Sequence, residues 1–269
     1  MPTLKALIFD LDGTIAETEE AHREAFNRAF TQEGVPWRWD APTWSGLLEI
    51  AGGRNRLTAW LAANRPELLK GEQAPLLLDR LHGAKDRLYR EILEAGEIPL
   101  RPGIRALVAE ARAARLRIAL ATTSRRAIAR RVLERCLDPQ APEWFHAFLG
   151  HEDATYRKPH PDIYRRAAAR LRLQPEECLA IEDSAIGVAS AVGAGVPVLV
   201  TVTPYSEGHD FGGAVAVLSD LGEAQAPCRL LEAPSDLSPP PPARTDLATL
   251  RRWHRQAVKA KRAGRASLS

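Results

Sequence analysis

Four short apolar runs punctuate the chain, at Leu4–Phe9, Leu116–Ala121, Cys178–Ile181 and Val196–Val202. Runs of this length, each ending in polar or turn residues, predict buried strands. Helix-length segments stand after or between them. Ser124 precedes one over 125–137, Ser184 precedes one over 185–194, and His160-Pro161-Asp162 opens a third. Hydroxyl residues and an early proline are helix-start signals. Strands alternating with helices predict an α/β fold whose parallel sheet is covered on both faces.

The first strand and the helix opening at Pro102-Gly103 are separated by about 85 residues with no comparable strand, against the dozen or so that a crossover needs. That segment is expected to be a domain of its own. It reads as helical over Glu19–Gln32, Trp44–Ala51, Asn55–Asn64 and Leu76–Ala95, broken at Gly34-Val35-Pro36, Gly52-Gly53 and Pro66. At the other end, the run Pro239–Pro242 is stiff and extended and marks a boundary. Beyond it, 245–262 fits a basic helix with a thin apolar face, Leu247, Leu250, Trp253 and Val258, and fits disorder nearly as well. The expected division is 1–15 and 100–225 as catalytic core, 16–99 as helical cap, and 226–269 as proline-rich linker and basic tail.

Composition narrows the class without naming a function. The chain of 269 residues is 45% hydrophobic and 26% charged, which excludes general disorder. No apolar stretch approaches the roughly 18–20 residues of a membrane span, so neither a membrane segment nor a signal peptide is expected. Three cysteines, Cys136, Cys178 and Cys228, have no zinc or disulfide spacing and point to a reducing, cytoplasmic setting. The net charge of +3 divides unevenly: from Arg244 onward eight Lys or Arg face only Asp246, a tail of +7 on a body of −4. Nucleic acid or an acidic surface is therefore a candidate partner for the tail and not for the body. The chain has 31 Arg and only 6 Lys, so each lysine stands out.

The chemistry-bearing residues cluster at predicted strand ends. Asp10 and Asp12, in Asp10-Leu11-Asp12-Gly13-Thr14, follow the first strand, and Glu182 and Asp183 follow the strand over Cys178–Ile181. Either group alone also fits a solvated turn or a helix cap. Four carboxylates at one sheet edge repel one another unless a cation intervenes, and hard oxygen donors favour Mg²⁺. Thr122, Thr123 and Ser124 end another strand with hydroxyls before a helix N-terminus that can receive an anion. Lys158, in Arg157-Lys158-Pro159, supplies a compact ammonium that can neutralise a phosphate and a carboxylate together. Near the glycine break, Arg54 and Arg56 suit a second phosphate.

These four segments resemble, in order, spacing and context, the motifs of the haloacid dehalogenase superfamily, over nearly all of the chain to about residue 220. The resemblance implies a Rossmann-like core with a helical cap inserted after the first motif. It also implies Asp10 as a nucleophile that forms an aspartyl-phosphate and Asp12 as general acid and then base, with Thr122 and Lys158 completing the catalytic set. Asp10, Asp12, Glu182 and Asp183 are the implied Mg²⁺ site.

More closely, Phe9 to Glu20, His22-Arg23, Gly52-Gly53 with Arg56, and Leu100-Arg101-Pro102-Gly103 look like the CbbY branch of that superfamily. That branch implies removal of the 1-phosphate of xylulose-1,5-bisphosphate, an inhibitor of Rubisco, with Glu17, His22, Arg54 and Arg56 on the sugar or its distal phosphate and Trp44 as an aromatic wall. Arg54 stands where lysine is expected, Trp44 where tyrosine is expected and Ile186 where asparagine is expected. A β-phosphoglucomutase-like enzyme or a broad sugar-phosphate phosphatase carries the same motifs. A non-catalytic binding protein acting through its tail is the reading of another class; the presence of Asp10, Asp12, Lys158, Glu182 and Asp183 opposes it. The expected partner is a small sugar (bis)phosphate, with no membrane, and the expected state is a monomer.

Overall fold

The structure, a computed structural model, describes residues 2–50, 52–235, 237 and 243–266. Two compact units divide the chain: Met1–Glu17 with Pro99–Ser269, and Thr18–Ile98. The run Pro239–Pro242 lies outside the described residues, as does Ala51.

In the first unit, β1 (Ala6–Phe9), β2 (Arg117–Ala121), β3 (Ala147–Leu149), β4 (Cys178–Glu182), β5 (Val198–Thr201), β6 (Ala216–Leu218) and β7 (Leu230–Glu232) form one sheet. Its order is β3-β2-β1-β4-β5-β6-β7, parallel apart from the antiparallel β6–β7 pair. The four predicted runs are β1, β2, β4 and β5. Nearly every residue of these strands is buried, as a sheet covered on both faces requires. Alternation sends Ile8, Ala119, Ala180 and Val200 into one core cluster, where Ile163, Tyr164 and Ala167 of α7 (Asp162–Arg170) and Val188 and Ala191 of α8 (Ala185–Gly193) join them.

From β1 the chain runs to β2 and β3 on one side and then returns to β4 on the other, which makes the β1–β4 crevice the topological switch point. Ligands of open α/β sheets bind beyond the carboxyl ends of strands at such a point. The remaining helices of this unit are α5 (Ile104–Ala113), α6 (Arg126–Val132) and α9 (Leu247–Ala266). The predicted helix over 125–137 is divided: α6 gives way to a π-helical turn at Leu133–Leu137.

The basic C-terminal segment differs from the separate tail expected of it. It belongs to the sheet unit, and α9 lies beside α5. Leu247, Leu250, Trp253 and Val258, at helical spacing, are all buried, and Trp253 is 0% exposed. Polar ties fix the same face. The Leu247 N–H donates to Glu110 at 2.8 Å, Arg244 pairs with Glu110, and the His254 ring meets the Glu176 carbonyl at 2.9 Å. Four large apolar contacts and a satisfied entry turn hold a helix that would be marginal alone.

The second unit contains α1 (Thr18–Gln32), α2 (Ala41–Leu47), α3 (Gly53–Asn64) and α4 (Gln73–Glu94). The main packing is α1 on α4. Its core is aromatic, with Phe26, Phe30, Trp39 and Trp44 in tilted, edge and stacked contacts at centroid distances of 4.6–6.0 Å. Asn27 pins the irregular segment before α2, donating to the Trp39 carbonyl at 2.9 Å and accepting from the Trp39 N–H at 2.8 Å. Both linkers return to the sheet unit, where Ala16 and Leu100 form an antiparallel bridge.

Candidate active site

Asp10 follows the last residue of β1, and its N–H donates to the Ile181 carbonyl of β4 at 3.0 Å, so pairing at the switch point sets its height. Glu182 ends β4 and Asp183 follows it. Gly13 makes the turn after Asp12 with φ +78°, where a Cβ would stand 2.2 Å from Asp183 Oδ2. Gly187 serves the same end in the first turn of α8, since a Cβ there would overlap the Glu182 carboxylate. Ser184 caps that helix by accepting from the Gly187 N–H at 3.2 Å. Glycine at 13 and 187 therefore leaves room for the acidic pair.

Lys158 Nζ lies in the middle, donating to Asp10 Oδ1 at 2.6 Å and to Glu182 Oε1 at 2.5 Å. Asp10, Lys158, Glu182 and Asp183 are each no more than 8% exposed. Tyr164, from α7, also donates its hydroxyl to Glu182 Oε1. Burial pushes the Asp10 carboxyl well above its ordinary range; Lys158 opposes this, while Glu182 and Asp12 add to it. Burial would lower the Lys158 ammonium, but the Asp10 and Glu182 carboxylates outweigh it and its pKa is raised. Burial, followed by the Glu182 and Asp10 charges, pushes the Tyr164 phenol well up and keeps it a donor.

Asp10, Glu182 and Asp183 each present an oxygen within 4.8 Å of the others, a buried acidic cluster able to hold a metal ion. Three hard donors against one ammonium leave negative charge uncompensated, and the donor chemistry fits a hard dication. The Asp12 carboxylate is not in this cluster. Its Oδ2 accepts from the Ser124 hydroxyl at 2.7 Å. Ser124 is thus turned to Asp12 and does not cap α6, where Arg125 holds the cap position without a side-chain bond. Thr122 is fully buried and its Oγ1 accepts from the Ser124 N–H at 3.0 Å; Thr123 is exposed. Glu17, expected on the sugar, is ion-paired with Arg101, whose other nitrogen donates to the Val202 and Ser219 carbonyls at 2.8 and 3.0 Å.

Within the helical unit, His22, Trp44 and Arg56 fall in one polar-aromatic cluster. The His22 ring stacks on Tyr89 at 4.0 Å, and the Arg56 guanidinium lies 5.0 Å over Trp44 while donating to the Ile50 carbonyl at 2.8 Å. Lys85, which no motif in the sequence marks, joins them: the residue is 6% exposed and its ammonium sits 5.0 Å from the Tyr89 ring. Its scarcity among 31 arginines, the argument that marked Lys158, could have marked it too. Burial lowers the Lys85 pKa against the pull of Asp86. Burial, then Lys85, Arg56 and His82, hold the His22 pKa well down. His22 Nδ1 and Trp44 Nε1 are buried without a hydrogen-bond partner among the described residues. Arg54 stands apart, paired with Asp79 at 2.8 Å and 46% exposed.

Known proteins place this geometry. The family model for haloacid dehalogenase-like hydrolases matches residues 4–195. The chain is 41% identical over 251 residues to the plasmid protein CbbY of Cupriavidus necator, covering 93% of this chain and 97% of that protein. CbbY of Rhodobacter capsulatus is 41% identical over 221 residues, covering 82% and 95%. A crystal structure of a CbbY mutant from Rhodobacter sphaeroides in complex with xylulose-1,5-bisphosphate is 38% identical, covers 81% of this chain and 94% of its own, and superposes with a TM-score of 0.71. With a buried lysine joining two acidic strand ends at the switch point and these relatives matched over most of their length, the chain belongs to the haloacid dehalogenase-like hydrolases, as a phosphatase of their CbbY-like branch.

Proposed function

We propose that the chain is a Mg²⁺-dependent sugar-phosphate phosphatase that removes the 1-phosphate of xylulose-1,5-bisphosphate and so relieves Rubisco of that inhibitor. The observation that carries the reading is the buried Lys158 ammonium held between Asp10 and Glu182. The substrate assignment draws on the likeness to CbbY, whose Rhodobacter sphaeroides form is known in complex with that compound.

Asp10 Oδ attacks phosphorus and forms the acyl-phosphate bond as the bond from phosphorus to the sugar oxygen breaks. The Lys158 ammonium, already 2.6 Å from Asp10, offsets the repulsion between carboxylate and phosphoryl oxygens. Mg²⁺, held by Asp10 and Asp183 with Glu182 alongside, would supply further positive charge to those oxygens. The sugar alkoxide leaves with a proton from Asp12, oriented by Ser124. Asp12 then takes a proton from water, the water oxygen attacks phosphorus, and phosphate departs with Asp10 restored. Asp10 must be anionic to attack, and its burial favours the neutral form, so cationic neighbours are part of its function. In the helical unit, Arg56, Lys85 and His22 are the residues we assign to the distal phosphate, with the orphan Trp44 indole N–H as a further donor.

The test is phosphate release by the full chain with Mg²⁺, comparing xylulose-1,5-bisphosphate with ribulose-1,5-bisphosphate, fructose-1,6-bisphosphate, glucose phosphates and simple monophosphates. Preference for the xylulose compound by at least about tenfold in kcat/KM, a difference of about 1.4 kcal/mol, is expected. Equal turnover of the whole panel would contradict the substrate assignment.

A further inference from the structure

Glu182 is bonded through both oxygens of its carboxylate. Its Oε1 accepts from Lys158 Nζ at 2.5 Å and from the Tyr164 hydroxyl, while its Oε2 lies 3.3 Å from both the Asp183 N–H and the Ser184 hydroxyl. Four protein donors thus surround this carboxylate, two of them closely on Oε1 and two at longer range on Oε2. Tyr164 touches this arrangement twice: its hydroxyl binds Glu182, and its ring faces the Lys158 ammonium at 5.2 Å. It is 0% exposed, so water does not compete for either contact.

We propose that Tyr164 is a positioning residue for phosphoryl transfer, locking Glu182 and Lys158 into one unit that holds the ammonium against Asp10. An ammonium has three donors. Two of those on Lys158 go to Asp10 and Glu182, and the third remains for a phosphoryl oxygen. Its direction is useful only if the other two are fixed. With the tyrosine hydroxyl removed, Glu182 Oε1 retains Lys158 alone and only the longer 3.3 Å contacts on Oε2 still hold the carboxylate, which leaves carboxylate and ammonium freer to turn together. Catalysis by pre-aimed charge is sensitive to such a loss, because a small misplacement lowers the rate without weakening ground-state binding. The core-filling part of the side chain is separate: phenylalanine keeps the ring, its packing and its face toward Lys158.

The experiment is Tyr164→Phe in the full chain, read in two ways. The kinetic arm rests on the proposed phosphatase reading; the spectroscopic arm does not. The chain has six lysines, so ¹³C labelling at lysine Cε gives few signals, and the Lys158→Arg variant identifies the one sought. In the parent, a clamped Lys158 shows two inequivalent ε protons. In Tyr164→Phe these merge into one averaged signal, and kcat falls about 10- to 100-fold with KM changed less than about twofold. An unchanged Lys158 signal overturns the proposal, whatever the rate does. A kcat within about twofold of the parent overturns it as well. If the parent releases phosphate from no substrate, the functional reading fails, and the Lys158 signal alone decides the role of Tyr164.

Discussion

Trp253→Ala probes whether the basic C-terminal helix is part of the catalytic unit's core or an appendage. The Trp253 side chain is 0% exposed, between Leu250, also 0% exposed, and Val258 at 3%. Truncating a large aromatic residue at such a position costs about 3–5 kcal/mol, because lost transfer energy adds to the cavity left behind. The full stability of a domain is about 5–15 kcal/mol, so this one change removes a large share of it. For a unit of this size each kcal/mol is worth roughly 2–4 °C in Tm, giving an expected fall of about 6–20 °C. Tryptophan fluorescence is a poor assay here, since Trp37, Trp39, Trp44 and Trp60 all lie in the helical unit. Hydrogen exchange followed by mass spectrometry on peptides from β4 and β5 reads the sheet unit directly, with calorimetry supplying Tm. Arg255→Ala, at an exposed position on the same helix, is the control and is expected to change stability by less than about 0.5 kcal/mol. A Tm within about 2 °C of the parent and unchanged protection of β4 would refute the reasoning and return the helix to the status of an appendage.

Three further outcomes are expected. Lys158→Ala removes the ammonium that joins Asp10 and Glu182, and kcat for phosphate release falls at least about 100-fold; retention of a tenth of the parent rate would remove Lys158 from the transfer step. Arg56→Ala raises KM for a bisphosphate about tenfold more than for a monophosphate, whereas Arg54→Ala, already paired with Asp79 on the surface, changes both less than about twofold; the reverse order would exchange their roles. His254 has its pKa lowered by burial, with Arg255 adding to this and the Glu176 and Cys178 carbonyls opposing it, and the unfolded chain therefore takes up its proton first as pH falls. Stability from this group is fully present above the ordinary histidine value of 6.5 and is lost as pH falls through and below it, and His22, also lowered, acts in the same direction. Calorimetry between about pH 7.5 and 5.5 should show Tm falling, and falling less in His254→Asn; an identical slope in the variant would contradict the assignment.

The strands that carry chemistry were legible because β1, β2, β4 and β5 are buried on both faces and so appear as unbroken apolar runs. Three-residue β3, β6 and β7 are too short for any period to show, and β7 is exposed throughout. The acidic strand ends and Lys158 were legible as types, but their mutual geometry depends on the return of the chain to β4 beside β1. The tie between Asp12 and the Ser124 hydroxyl, which comes from the end of another strand, likewise depends on the fold. Arg54 and Arg56 look equivalent in sequence, yet two residues along a helix of 3.6 residues per turn put them on opposite sides of α3, one at Asp79 and the other over Trp44. Tyr164 and Arg101 act through partners distant in sequence, Tyr164 on Glu182 and Arg101 on Glu17 and the carbonyls after β5 and β6, and no local pattern marks such contacts. The apolar stripe of α9 was visible, but whether so thin a stripe docks depends on the neighbouring Glu110 and Glu176, which only the fold supplies.

The central claim is that Asp10 carries the phosphoryl group taken from the 1-position of xylulose-1,5-bisphosphate. Acid quenching during turnover with Mg²⁺, followed by peptide mass spectrometry, tests it directly. The account predicts one phosphoryl group on the peptide containing Asp10, derived from the 1-phosphate and absent in Asp10→Asn, with phosphate release lost in that variant. A phosphoryl group on any other residue, or undiminished phosphate release by Asp10→Asn, would contradict it.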